Sequence, residues 1–325
     1  MIYLSLPSPQ SPRRLPFFLA MEEWAASALP DAEYFFVWQQ AGPTIICGRN
    51  QTIALEVDLP LCRRSGIDVV RRRSGGGAVV ADENNLMLSY VRPRGSQSVE
   101  SIFAEWSDTL ARALRELGAE AEATGRNDIC INGRKVSGGA FYALPRHAIA
   151  HSTMLYRLPT AELTSALTPA RAKLESKGVK SVAARITSLT DEGLTLSKDD
   201  FSEKLRAMLC PESLELTDAD VKAIEEIEKT YYRPSFMRLD ESAESVAGRI
   251  HTKSAGQICA SFRLADGRIS GLKLTGDFFA LDDARIIENA LEGLSTDELP
   301  AAAEALKPER IIRGLDARTL LSLFE

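Results

Sequence analysis

Residues 69–81, VVRRRSGGGAVVA, run three arginines (Arg71, Arg72, Arg73) directly into three glycines (Gly75, Gly76, Gly77) between β-branched flanks. The flanks read as strands and the glycines as the loop joining them, so the fold must contain strand–loop–strand here, not strand–loop–helix. The nucleotide loop Gly-x4-Gly-Lys-Ser/Thr does not occur, and Val80 stands where a dinucleotide fingerprint requires glycine. Bare glycines leave backbone N–H groups open to direct approach, and adjacent guanidinium forks suit phosphate or carboxylate. The stretch therefore predicts an anion held close to the backbone. A flexible hairpin with solvated arginines and a nucleic-acid phosphate contact are the alternatives.

A second stretch, DICINGRKVSGGAFY (128–142), carries Asn132-Gly133 between two strand-like arms, the favoured two-residue hairpin turn. An uninterrupted register places Ile131 opposite Arg134, Cys130 opposite Lys135 and Asp128 opposite Ser137. Alternation then gathers Asp128, Cys130, Lys135 and Ser137 on one face, with Ile129 and Val136 on the other. A lysine kept protonated by a nearby aspartate can neutralise charge that develops in a transition state. The bland counterpart is an exposed hairpin with a solvated lysine. Cys130 reads as a small strand hydrophobe ahead of a nucleophile, because no histidine lies near it in sequence.

Composition narrows the function classes. The chain has 325 residues, long enough for a large domain and a small one, and a formal net charge of −6, which disfavours a general nucleic-acid binder. Five dispersed cysteines without a CxxC pair indicate reduced thiols, and with no apolar run of the ~18–20 residues needed to span a bilayer the expectation is a cytoplasmic protein with no membrane partner. His147 and His151 lack the glutamate of a zinc-protease helix.

Along the chain, PFFLAMEEWAASAL (16–29) spaces apolar residues as a helix with Glu22 and Glu23 left for solvent. Residues 34–51 read as two strands, and VESIFAEWSDTLARALRELG (99–118) is the clearest helix, ending at Gly118. HSTMLYRL (151–158) reads as a strand, with helical segments around 160–189 and 199–230. KTYYRPSFMRLDES (229–242), broken by Pro234, is the candidate linker, and beyond it strands around Asp266-Gly267 precede helices. The expected division is 1–240 and 241–325.

These segments together resemble the lipoate–protein ligase A family, in matching order. The family's RR-x-SGGGAV motif with its downstream asparagine is similar to Arg71 through Val79 with Asn85. Its second motif resembles GRNDI (125–129) and GRKVSGGA (133–140), its HGTLL resembles HSTML (151–155), and its lysine–glycine loop resembles KLESKGVKSVAARITSL (173–189). The chain departs from the pattern at Ala81, Asn84 and Ser152, and lacks the tryptophan signature near YYRPSF.

The resemblance implies an α+β fold: a catalytic domain like those of class II synthetases and biotin ligases, with a mixed, largely antiparallel sheet, and a small C-terminal α/β accessory domain. It implies that ATP and lipoate form lipoyl-adenylate. The lipoyl group then passes to a lysine of a 2-oxoacid dehydrogenase E2 lipoyl domain or of the glycine-cleavage H protein. Lys135 is implied as catalytic. Arg72, Ser74, Gly75, Gly76, Gly77, Ala78, Val79, Ser137, Gly138, Ala140 and His151 are implied on the lipoyl and adenylate side. Asn85, Asn127, Asp128, Lys177, Gly178, Ser181 and Arg185 are implied at the nucleotide, with Mg²⁺ as co-substrate beside Asp128. No tightly bound prosthetic group is expected, and the protein is expected to be a monomer. Arg71 and Arg73 are left as solvated or as docking residues for an acidic carrier. The rivals are an ATP-independent octanoyl or lipoyl transferase, a biotin ligase and a non-catalytic carrier-binding relative.

Overall fold

In the computed structural model, which describes residues 1–8, 12–125, 127–168, 185–239, 246–252 and 254–324, an eight-stranded sheet forms the framework. Its strands are β1 (Ile2–Ser5), β2 (Tyr34–Trp38), β6 (Leu86–Pro93), β7 (Glu122–Ala123), β8 (Asp128–Ile131), β9 (Arg134–Ala143), β10 (His147–Met154) and β11 (Glu212–Glu215). Their order is β11-β1-β2-β6-β10-β9-β8-β7, with β1 parallel to both neighbours and the β2-β6-β10-β9-β8-β7 run antiparallel. A three-stranded sheet of β3 (Thr44–Cys47), β4 (Asp68–Arg71) and β5 (Val79–Ala81) carries the glycine loop between β4 and β5. The expected mixed, largely antiparallel sheet is what the chain builds.

Helices cover both faces of the large sheet. On one, the helix Val99–Glu116 buries Ile102, Phe103, Trp106, Leu110 and Leu114, the 3.6-residue stripe legible in the sequence. The Ser98 side chain caps it by accepting from the Ser101 amide, and Gly118 at φ +93° follows its end. On the other face lies the helix Leu15–Ala28, whose Phe17, Phe18, Met21, Trp24 and Ala25 pack in a second core with Tyr34, Phe36 and Trp38. Glu22 of this helix is also fully buried, against the expectation of solvent exposure. It occupies the same apolar register as Leu15, Phe18, Leu19, Ala25 and Ala26, so helical geometry turns it inward.

Residues 229–239 do not form a loose linker. A 3₁₀ turn (Lys229–Tyr232) and a short helix (Pro234–Met237) pack onto the first unit, with Tyr231 buried under Phe236 and against Arg73. The aromatic side chains supply the area that a Pro-containing stretch conceals from periodicity. After them, β12 (Val246–Thr252), β13 (Gly256–Ala265) and β14 (Arg268–Gly276) form an antiparallel sheet backed by helices Arg285–Leu291, Leu299–Leu306 and Ala317–Leu321. This C-terminal unit has a core of its own around Ile258, Leu274, Phe278, Ile287, Ile312 and Leu320. The expected Asp266-Gly267 turn joins β13 to β14, with both residues at positive φ.

Candidate active site

The β8–β9 hairpin turns at Asn132 (φ 52°) and Gly133 (φ 72°), as the pair demands. Cys130 faces Lys135, but a bulge between Ile129 and Cys130 then advances the register, so Ser137 pairs with Ile129 and Asp128 with Gly138. This corrects the uninterrupted register: one extra residue on β9 sends Ser137 into the buried layer with Ile129. Lys135 and Asp128 still meet, Nζ to Oδ1 at 2.8 Å. Arg185 pairs with the other carboxylate oxygen, Oδ2. Gly138 lies directly under the lysine, where a Cβ would stand 2.1 Å from Nζ. The lysine needs that glycine in order to lie flat across the strand.

This trio borders a cavity of about 240 Å³. Its walls include Arg72, Gly76, Gly77, Ala78 and Val79 from the glycine loop, Gly138 and Ala140 from β9, and His151 from β10. Asn127, Asp128, Lys135 and Arg185 stand at the charged part, while Leu15, Leu19, Trp38, Ile46 and Met87 give an apolar part. Of the residues expected here, Ser74, Gly75, Ser137 and Asn85 lie off the wall. Ser74 is buried behind it, and Gly75 is pressed against the C-terminal unit, where a Cβ would meet the Phe278 carbonyl at 2.4 Å. Asn85 spends its side chain inside a turn: its Oδ1 accepts from the Asp82 amide and its Nδ2 donates to the Arg157 carbonyl. Asp82 in turn accepts from the amides of Asn84 and Thr160, so the DENN segment is a hydrogen-bonded corner and its asparagine a builder of that corner. Lys177, Gly178 and Ser181 lie outside the described residues.

The three arginines separate by partner. Arg71 is buried and donates to the carbonyls of Gly48, Arg49, Gln51 and Met237, which excludes both a solvated and a docking role. Arg73 pairs with Glu23 at 2.6 Å and lies over the rings of Tyr231 and Phe236. Strand alternation puts both on one face but does not say what covers it: residues 48–51 and Met237 enclose Arg71, and Glu23, Tyr231 and Phe236 enclose Arg73. Arg72 donates to the carbonyls of Ile46, Gly75 and Gly77 and to Ser74 Oγ, shaping the loop from within. Burial without an adjacent carboxylate lowers its pKa to about 10.

Sequence reasoning missed four contributors. Glu22 accepts from His151 Nδ1 at 3.0 Å and from Ser89 Oγ at 2.5 Å. Trp38 lines the cavity and donates Nε1–H to Ser89 Oγ at 2.8 Å. Asp277 and Phe279 reach the cavity from the C-terminal unit, where Phe279 stacks on Phe141 at 5.2 Å and the Phe278 carbonyl accepts from the Gly76 amide at 3.2 Å. The apolar register of Glu22 was the one available signal; the others depend on long-range packing.

Whether Asp128 can hold a metal ion depends on its free lone pairs. Both carboxylate oxygens face cations, and among the described residues no group of three or more His, Cys, Asp or Glu side chains converges. A Mg²⁺ ion carried by nucleotide phosphates uses only one or two protein carboxylates, and Asp128 is a cavity carboxylate that would supply one. His147 lies near Asp31 and His151 on Glu22, so the two histidines form no metal pair. Cys130 is half-buried, its thiol pushed up chiefly by burial, and it is not part of the cavity wall.

Known proteins share both the sequence and the fold. Residues 16–209 match the lipoyl protein ligase A/B catalytic domain, and residues 247–324 match the bacterial lipoate protein ligase C-terminus. The lipoate-protein ligase LplJ of Bacillus subtilis (strain 168) is 32% identical over 284 residues, 85% of each chain. The crystal structure of P. falciparum LipL1 in complex with lipoate superposes with a TM-score of 0.75 at 18% identity, covering 95% of this chain and 98% of that one. A lipoate-protein ligase A bound with ATP gives 0.62 at 22% identity, over 73% and 99%. With a catalytic-domain match across more than half its length and a lipoate ligase relative spanning most of it, the chain belongs to the lipoyl protein ligase A/B family.

Proposed function

We propose that the chain is an ATP-dependent lipoate–protein ligase. The observation that carries the reading is one cavity with two characters. An apolar part accommodates an acyl tail, and Lys135, Asp128 and Arg185 gather where its carboxylate meets a phosphate. The ligase names of the relatives and the ATP in one structural neighbour support it.

The reaction has two steps. The acid's carboxylate oxygen attacks the α-phosphorus of ATP, an O–P bond forms, and pyrophosphate leaves. The ε-amine of a carrier lysine then attacks the acyl carbonyl, an amide forms, and AMP leaves. In the first step charge accumulates on the phosphoryl oxygens, and Lys135 Nζ and Arg185 are the cations positioned to meet it. Both are held by Asp128 beforehand, so substrate anions compete for ion pairs already in place. Gly77 of the loop also lines the cavity, where bare backbone lets an anion approach without a side chain intervening, while the Gly76 amide is already taken by the Phe278 carbonyl. No step is assigned to a metal ion.

The remaining assignments belong to the same proposal. Residues 1–240 form the ligase unit and 241–325 the accessory unit, and the chain acts in the cytoplasm as a monomer. The acceptors are E2 lipoyl domains or the glycine-cleavage H protein. No helix among the described residues is long and apolar enough to cross a membrane. The transferase alternative needs an activated thiol. Cys130 offers a half-buried thiol raised by desolvation, off the cavity wall. The decisive measurement is lipoate-dependent ATP–pyrophosphate exchange, followed by mass spectrometry of a lipoyl domain incubated with protein, ATP, Mg²⁺ and lipoate. A mass increase of one lipoyl group that requires ATP is expected. Equal acyl transfer from a carrier thioester without ATP overturns the reading.

A further inference from the structure

The tip of the β8–β9 hairpin is tied down by a carboxylate that does not line the cavity. Glu192 Oε2 accepts from Asn132 Nδ2 at 2.8 Å. Its Oε1 accepts from Thr187 Oγ1 at 2.8 Å and from Arg134 Nη2 at 2.5 Å. Asn132 and Arg134 belong to the hairpin, one in the turn and one beside Lys135, whereas Thr187 lies two residues beyond Arg185. The backbone joins the same two segments: the Thr187 amide donates to the Lys135 carbonyl, and Ile186 bridges to Lys135 in parallel. Glu192 therefore spans the two segments that bring the cations Lys135 and Arg185 to Asp128.

The hairpin has reason to need an outside tie. Among the described residues only the two-residue strand β7 lies beyond it in the sheet, and the bulge between Ile129 and Cys130 interrupts its ladder beside Lys135. Glu192 is suited to supply that tie. Its side chain is 6% exposed, and bonds from the Thr187 hydroxyl and then from Asn132 and Arg134 hold its carboxyl below the usual range, so it is ionised at neutral pH. Hydrogen bonds to an ionised acceptor are shorter and stronger than neutral ones. Asn132 adds a chemical signal of its own. Asn-Gly and Asp-Gly both satisfy the turn, but only asparagine has side-chain hydrogens to give to a carboxylate.

We propose that Glu192 is a positioning residue for adenylation: it clamps the tip of the lysine hairpin to the segment carrying Arg185, so that Lys135 and Arg185 keep a fixed spacing around Asp128 before substrate arrives. It acts only through those two cations, from outside the cavity wall. The inference rests on the ligase reading above and adds to it the device that holds the reacting centre in register.

Asn132→Asp tests the clamp while preserving the turn, since it sets two carboxylates face to face at an exposed position without changing the backbone preference. It is expected to lower kcat for lipoate-dependent ATP–pyrophosphate exchange about tenfold, the scale of a misplaced catalytic group. KM for lipoate should stay nearly unchanged, because the acyl wall is untouched. Adding Glu192→Gln reverses donor and acceptor in the same bond, and the double variant is expected to recover kcat to within about threefold of wild type. A purely structural role would give no such recovery. Deuterium uptake read by mass spectrometry follows the clamp without any activity: peptides covering 130–137 and 185–190 should take up deuterium faster in Asn132→Asp, and those of the helix Val99–Glu116 should not. A kcat equal to wild type in Asn132→Asp, no recovery in the double variant, or unaltered uptake at the hairpin each overturns the proposal. Absence of acid-dependent pyrophosphate exchange in wild type would fell the ligase reading, and deuterium uptake would then decide whether the clamp exists.

Discussion

The two parts of the cavity are built on opposite principles. At the apolar part every polar atom of Trp38 and His151 is consumed inside the protein, and the supporting side chains are buried. At the charged part Lys135 and Arg185 each form an ion pair with Asp128 beside the open cavity, and the side chain of Arg185 is 35% exposed. A fixed wall suits a ligand recognised by shape, because it pays its ordering cost during folding. Cations held in an exchangeable trio suit a reacting centre whose charge changes during the cycle.

That contrast can be broken most sharply at Lys135. Lys135→Ala is expected to lower the adenylation rate by about 10²–10³-fold, the scale of losing one preorganised donor to a transition-state oxyanion. Thermal unfolding should be little changed, since the exchangeable part is not a structural keystone. An exchange rate within twofold of wild type would remove the lysine from the mechanism.

Next in size is Gly138→Ala. The new methyl would stand 2.1 Å from the lysine ammonium, the flexible end of a long side chain that can move aside. Activity should fall by about tenfold as Lys135 leaves Asp128, with melting nearly unchanged. Loss of folding in step with activity would instead mark the site as rigid.

Gly76→Ala probes the seam between the loop and the C-terminal unit. Gly76 has φ +90°, and its added methyl would approach Phe279 at 3.1 Å. A cost of about 1–3 kcal/mol in unfolding free energy is expected from the backbone conformation alone. Chemical denaturation measures it, and a neutral substitution would show that the loop is free to relax.

The smallest effect belongs to Cys130→Ser, which should leave exchange within about twofold of wild type, since the half-buried thiol lies off the cavity wall and the change is nearly isosteric. Burial raises this thiol above its ordinary 9.0, so its thiolate is scarce at neutral pH and grows only as pH climbs past that value. Iodoacetamide labelling of Cys130 should accordingly be slow at pH 7 and accelerate above pH 9. Fast labelling at pH 7, together with loss of acyl transfer in the serine variant, would revive the transferase.

Local patterns read correctly where the determinant was local. The Asn132-Gly133 turn, the stripe of the Val99–Glu116 helix and the strand–glycine–strand unit each depend on residues within a few positions of one another. The bulge beside Cys130 escaped because alternation has no term for an inserted residue. Segment 229–239 escaped because its aromatic anchors bury against residues two hundred positions away, Tyr231 bonding to Glu23 among them.

By itself, the sequence determined the chemistry brought together: a glycine loop that bares backbone donors, a lysine on a hairpin and an aspartate within its reach. Their spacing along two short segments allows few other arrangements. Only the tertiary structure decided which side chains act and which brace. Arg71, Arg72 and Arg73 are consecutive in the chain, yet one clamps carbonyls, one shapes the loop and one pairs with a helix carboxylate. Glu22 and His151, 129 positions apart, became partners because two elements pack face to face, and contact at that separation leaves no trace in local spacing.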